Sequence, residues 1–188
     1  MEIYMPKVTA IVCIGPNGLI GNSENQMPWY SRQDFFHFVY QTKYKPCVFG
    51  ANTFFNIPTH PLPNRLNVVI SSKYQNTYIG DFIGVHSFET AMAIIKKHKH
   101  IMICGGAYLY KYCFDNNYID NFLITRITSK KLIEISKDKT NTFFPQYILD
   151  SIEQNWRKTE FNYANHIRFP TISEHGVDIR FFNYQNIR

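Results

Sequence analysis

The 188-residue chain has no apolar run approaching the ~20 residues that a membrane-spanning helix requires, which excludes such a helix. It has only four cysteines, Cys13, Cys47, Cys104 and Cys113, none in a Cys-x-x-Cys spacing. A zinc site or any other metal centre is therefore not expected, and the thiols read as reduced and buried. The opening Met1-Glu2-Ile3-Tyr4-Met5-Pro6 lacks the charged and apolar regions of a signal peptide, so a cytoplasmic location is the expectation. Charged residues are scarce, at 18% against 45% hydrophobic. That balance rules out wholesale disorder and fits a single domain over residues 1–188. There is no internal repeat and no low-complexity stretch. Neither Gly-x-Gly-x-x-Gly nor Gly-Lys-Ser/Thr occurs, which removes the dinucleotide fingerprint and the P-loop. Aromatics, by contrast, are abundant, with 16 Phe and 13 Tyr, and the net charge is +6. The first suits a large core or a flat ligand, and the second favours acidic partners.

Residues 8–14 (VTAIVCI) form a nearly continuous apolar run, as a strand covered on both faces does. Shorter runs follow at 47–49, 66–70, 101–104 and 122–127. Helical patterns lie between them. Ser31 can cap a helix to Thr42 whose inner face carries Phe35, Phe38, Val39 and Thr42. Residues 51–57 form a short helix stopped by Pro58. Ser87 can cap a helix ending near Lys96-Lys97, and another opens after Gly105-Gly106. This alternation predicts an α/β fold with a mostly parallel central sheet and about four flanking helices. Residues 156–161 and 177–184 read as an antiparallel pair of strands at one edge, and the lysine-rich stretch 129–141 as a surface loop.

In such a sheet, ligands bind beyond the carboxyl ends of the strands. After the first strand comes Gly15-Pro16-Asn17-Gly18-Leu19-Ile20-Gly21, then Met27-Pro28-Trp29. This is either a plain connection with a buried Trp or a mobile lid over a flat ligand. Ser31-x-x-Asp34 matches a capping pattern, so Asp34 can be a helix cap. Its aromatic neighbours also allow a carboxylate that binds a hydrogen-bond donor. Gly50 and Gly105-Gly106 each sit at a strand–helix junction suited to phosphate. Arg65 follows the stiff segment Pro61-Leu62-Pro63, where it can fork onto a carboxylate or stay solvated.

Together these pieces resemble dihydrofolate reductase over residues 8–184. They occur in the family's order: Gly-Leu-Ile-Gly at 18–21, Met-Pro-Trp at 27–29, Asp34, Gly-x-x-Thr at 50–53, Pro-Leu-Pro-x-Arg at 61–65, Gly-Gly-Ala-x-Leu-Tyr at 105–110, Leu123-Ile124-Thr125, and Thr142-Phe143-Phe144-Pro145. The resemblance implies a three-layer fold and NADPH-dependent reduction of 7,8-dihydrofolate to tetrahydrofolate, serving one-carbon and thymidylate metabolism. The hydride would go to C6 and a proton to N5. Asp34 would hold the pterin's 2-amino group and N3, with Thr125 supporting the carboxylate and an ordered water. Met27 would ride on the closing lid. Ile11, Phe38, Ile57 and Leu62 would line the substrate site, and Arg65 would pair with the glutamate tail. Cys13, Ile20 and Cys104 would border the nicotinamide, and Gly21 would also bind the cofactor. Gly50, Asn52, Thr53, Ser71, Ser72, Gly105, Gly106, Ala107, Tyr108 and Leu109 would hold the rest of the cofactor, with the Gly105–Gly106 peptide bond cis.

Three departures stand out. Ala51 replaces the family's basic residue for the cofactor 2′-phosphate, Tyr108 replaces Arg or Ser, and Cys104 replaces an aliphatic residue. Ser71, Ser72, Lys73 and His86 could supply the missing contact. Three other readings compete. A reductase of the same fold acting on a ribosylated pyrimidine would not need Met-Pro-Trp, Asp34 or the Pro-Leu-Pro-x-Arg segment. A non-catalytic binding protein would not need Asp34 and Gly105-Gly106 intact. A nucleic-acid binder would need more than the lysines at 96–99 and 130–139, which read as solvated faces. The expectation is a monomer with a small-molecule substrate and with no nucleic acid or membrane.

Overall fold

The computed structural model describes residues 5–161 and 176–187. Residues 1–4, part of the segment read for a signal peptide, lie outside them. In chain order the strands are β1 (Lys7–Ile14), β2 (Leu19–Gly21), β3 (Pro46–Gly50), β4 (Leu66–Ile70), β5 (Thr77–Ile79), β6 (Phe82–Val85), β7 (His100–Ile103), β8 (Asn121–Thr128), β9 (Thr142–Phe143), β10 (Arg157–Phe161) and β11 (Asp178–Gln185). The helices are α1 (Arg32–Thr42), α2 (Ala51–Asn56), α3 (Phe88–Ile95), α4 (Ala107–Asp115), α5 (Lys130–Ile135) and α6 (Gln146–Asn155). The chain divides into two compact units, Met1–Ala10 with Thr42–Asp120 and Ile11–Gln41 with Asn121–Arg188.

The first unit is built on parallel pairing. The start of β1 pairs with β7, β7 with β3, β3 with β4 and β4 with β6, and β5 closes the edge antiparallel to β6. Val48, Phe49, Val68, Val69, Val85, Ile101 and Ile103 are buried, as an apolar run covered on both faces requires. The register sets Gly50 beside Ile70 and Ile70 beside Val85. The residues that follow, Ala51, Ser71 and His86, therefore leave neighbouring strands at one carboxyl edge. Phe54 packs against Phe49, Phe82 and His60 at 5.0–5.6 Å between ring centres, so part of the aromatic excess is core. Asp120 closes the unit: its carboxylate accepts the Val8 N–H at 2.8 Å, and its own N–H donates to the Val8 carbonyl at 2.9 Å.

In the second unit β10 and β8 both pair antiparallel with β11, which gives the expected C-terminal edge pair. Leu19 of β2 pairs with Phe143 of β9. The described residues contain six α-helices rather than four. Stretch 129–141, read as a loop, contains α5. The Ser129 hydroxyl accepts the Leu132 N–H at 3.2 Å, and Leu132 is buried. One cap and one apolar anchor suffice inside a lysine-rich stretch whose mean composition hides them. Helix α6 follows Pro145 and buries Ile148, Leu149 and Ile152 on one face.

The inner face of α1 also differs from expectation. Phe35 is 47% exposed, and the fully enclosed positions are His37 and Thr42. The His37 ring lies 4.8 Å from Phe181 and 6.1 Å from Phe161, centre to centre. Burial lowers its pKa from the usual value to about 4. The unfolded chain therefore takes up this proton at a higher pH than the folded one. The stability His37 contributes is present above about pH 6.5 and is lost as pH falls toward 4. Replacing His37 with Phe should flatten that loss. In urea unfolding at about pH 7 and about pH 4.5, the variant should lose roughly 1–3 kcal/mol less than the parent between the two.

Candidate active site

Asp34 sits in the first turn of α1, and the local sequence explains how it is freed from capping duty. Ser31 does the capping, because its hydroxyl accepts the Asp34 backbone N–H at 3.2 Å. The Asp34 carboxyl meets the Thr125 hydroxyl of β8 and the Cys13 thiol of β1. Burial pushes its pKa up to about 6, while Thr125 and Cys13, as hydrogen-bond donors, pull against that rise. Cys13 is half-buried. Its thiol is pushed well above its usual range by desolvation and then by the neighbouring carboxylate, so it stays protonated and donates. The Trp29 indole also neighbours that thiol. Trp29 Nε1 and Thr125 Oγ1 are both buried. The Thr125 hydroxyl beside the carboxylate and the Trp29 indole N–H beside the Cys13 thiol retain capacity for a polar ligand.

Of the other residues expected in the second unit, Ile11 and Gly21 are buried, and Ile20 and Phe38 are half-buried. Met27 is 55% exposed. The loop after β1 is held from β9, since the Phe144 N–H donates to the Gly18 carbonyl at 2.7 Å.

In the first unit the structure brings Gly50, Thr53, Gly105 and Gly106 together. The Gly50 N–H donates to the Gly105 carbonyl at 2.8 Å, and the Gly105–Gly106 peptide bond is cis. A Cβ on Gly105 would lie 2.7 Å from Thr53 Cγ2, at a φ of 135° that side chains rarely adopt. A Cβ on Gly106 would lie 2.9 Å from Thr53 Oγ1. Gly50 and Gly106 begin α2 and α4 with no side-chain cap, so the first N–H groups there remain available to an anion. Cys104 and Leu109 are buried, Ala107 and Ser71 half-buried, and Asn52 and Ser72 exposed. Tyr108 is 80% exposed and stacks on Tyr112. The His86 ring and backbone N–H both engage Asn76 Oδ1, at 2.9 and 3.3 Å.

Arg65 is also in the first unit, beside the half-buried Ile57 and the buried Leu62 in sequence. Its Nε donates to Thr42 Oγ1 at 2.9 Å and its Nη1 to the Pro63 carbonyl at 2.6 Å. The sequence reading did not identify Thr42 or Asn67 as parts of this arrangement. Asn67 left one signal, as the single polar residue in the apolar run of β4.

The fold is that of an α/β reductase. It superposes on a solved dihydrofolate reductase from Enterococcus faecalis complexed with NADP(H) and RAB-propyl, with a TM-score of 0.74 and 22% identity, covering 98% of this chain and 99% of that one. Residues 7–184 match the family model for dihydrofolate reductase. The dihydrofolate reductase of Buchnera aphidicola is 32% identical over 141 residues, 75% of this chain and 80% of its own. That of Haemophilus influenzae is 32% identical over 154 residues, 81% and 83% of the two chains. The chain belongs to the dihydrofolate reductase family.

A raised carboxyl pKa has a consequence for stability. The folded chain holds the Asp34 proton up to about pH 6, and the unfolded chain releases it near 3.8. Ionised Asp34 therefore weakens the fold as pH rises through this range. Asp34→Asn should be more stable than the parent near pH 8, by roughly 1–3 kcal/mol, with the gain shrinking toward pH 4. Thermal unfolding of both proteins across pH checks this.

Proposed function

We propose that this chain reduces 7,8-dihydrofolate to 5,6,7,8-tetrahydrofolate with NADPH, with the hydride delivered to C6 and a proton to N5, and that Asp34 organises the pterin. The observation that carries the reading is the half-buried Asp34, whose carboxyl is desolvated enough to raise its pKa, set against the buried Thr125 hydroxyl. The carboxylate accepts hydrogen bonds from the pterin's 2-amino group and N3–H. Its negative field favours a proton on N5, which makes the C6–N5 imine the better hydride acceptor. Thr125 holds the carboxylate in place. Phe38 and Ile57 pack on the pterin and benzoyl rings, with Leu62 nearby and Ile11 also lining the substrate site, and Arg65 takes the carboxylate of the glutamate tail. Met27 belongs to the loop that excludes water.

The residues present fit NADPH on two observations, the Cβ-free surface of Gly105 and Gly106 against Thr53 and the helix starts without side-chain caps. NADPH, when bound, supplies the hydride. Gly50, Asn52, Thr53, Gly105, Gly106, Ala107, Tyr108 and Leu109 hold its phosphates and ribose, Ser71 and Ser72 its adenosine end, and Cys13, Ile20 and Cys104 border its nicotinamide, with Gly21 also binding the cofactor. The reading includes a cytoplasmic monomer with no nucleic-acid partner. Among the described residues no helix is long and apolar enough to cross a membrane, and no group of metal-ligating side chains forms.

Purified protein should consume NADPH only when dihydrofolate is added, followed by loss of the reduced cofactor's absorbance, and no turnover would overturn the proposal. Asp34→Asn should slow hydride transfer by roughly 10²–10⁴-fold at neutral pH, and least at low pH where the substrate protonates itself. An unchanged rate would return Asp34 to a structural role. Because Ala51 stands where relatives carry a basic residue, NADH should compete with NADPH better here than in those relatives. Comparing kcat/KM for the two cofactors tests this.

A further inference from the structure

The segment that carries Arg65 is held from beneath by one side chain. Asn67 lies in β4, is buried, and uses both ends of its amide on the preceding loop. Its Oδ1 accepts the Leu62 N–H at 3.1 Å, while its Nδ2 donates to the Leu62 carbonyl at 3.0 Å and to the Arg65 carbonyl at 3.3 Å. One residue thus bonds both backbone groups of Leu62 and the carbonyl of Arg65, bridging the loop like a rung. The loop turns at Asn64, whose φ is 57°. A second tie comes from the Tyr44 N–H, which donates to the Asn64 carbonyl at 3.0 Å. A planar guanidinium must present its edge at a defined angle to pair with a carboxylate at two points, and its backbone anchor sets that angle.

We propose that Asn67 is a positioning residue for the substrate's carboxylate: it fixes the backbone from which Arg65 projects, and so tunes affinity for the glutamate tail without touching substrate. This rests on the reading of Arg65 as the group that binds the tail. It differs from a general stabilising role in one measurable way, because its effect depends on whether the substrate has a tail.

The experiment compares dihydrofolate with a dihydropterin that lacks the benzoyl-glutamate portion, using the parent, Asn67→Ala, Arg65→Ala and the double variant. Asn67→Ala should raise KM for dihydrofolate by roughly five- to tenfold, with kcat within about twofold of the parent and KM for the tail-less substrate unchanged. In the Arg65→Ala background the same change should add little, since the group it positions is gone. Equal rises for both substrates, an unchanged KM for dihydrofolate, or full additivity with Arg65→Ala would overturn the proposal. If Arg65→Ala itself leaves KM for dihydrofolate unchanged, the reading of Arg65 fails instead, and the role of Asn67 with it. Should Asn67→Ala not fold, Asn67→Ser, a smaller polar replacement that cannot span all three bonds, goes through the same comparison with the same deciding outcomes.

Discussion

Removing the Asp34 carboxyl from water opposes folding, and its neighbours are arranged to hold it there. The Ser31 hydroxyl relieves it of capping the helix. The Cys13 thiol and Thr125 hydroxyl are donors that only partly offset the loss of hydration, which leaves the pKa near 6. A more complete set of partners would lower the pKa and satisfy the carboxylate; the set present leaves it able to gain from further donors. His37, one helical turn further along α1, shows the opposite solution. It too is buried, but as a neutral ring among Phe161 and Phe181, where protonation is what the surroundings resist. The same helix thus carries a carboxyl biased toward its neutral form and an imidazole that is kept neutral.

Much of this could be read from the sequence because it depends on short-range pattern. The apolar runs became strands because strands covered on both faces need continuous hydrophobicity. The caps at Ser31 and Ser87 were visible because a cap acts over three residues. Helix α5 was not visible, since one buried leucine among lysines carries little periodicity. Nor was the role of Thr42 in holding Arg65, a bond that spans 23 positions in sequence and follows only from the fold. Asp34 was recognisable as a candidate, but whether it caps or binds depended on what faced it. Thr125 does so from 91 positions away, and only the pairing geometry of β8 and β11 brings Thr125 opposite Phe181.

The first unit carries its functional groups differently. Its parallel strands end together, so the loops after β3, β4 and β6 share one edge, and what those loops carry decides which charge the edge can meet. The cation expected after β3 is absent, while His86, after β6, is oriented by Asn76. The Pro-rich loop carries the cation Arg65, whose side chain bonds Thr42 and the Pro63 carbonyl and whose backbone is bonded by the neutral amide of Asn67.

The fit of Thr53 against Gly105 and Gly106 leaves almost no tolerance. A methyl group at either glycine would collide with Thr53, and at Gly105 the backbone angle opposes any side chain even if Thr53 gave way. A chain under selection to evade an inhibitor can usually reshape the wall that the compound leans on. Here a side chain at Gly106 would require Thr53 to give way, and Gly105 has no ready alternative residue. A compound whose affinity comes mainly from the backbone of this turn would press on positions that substitution cannot readily reshape.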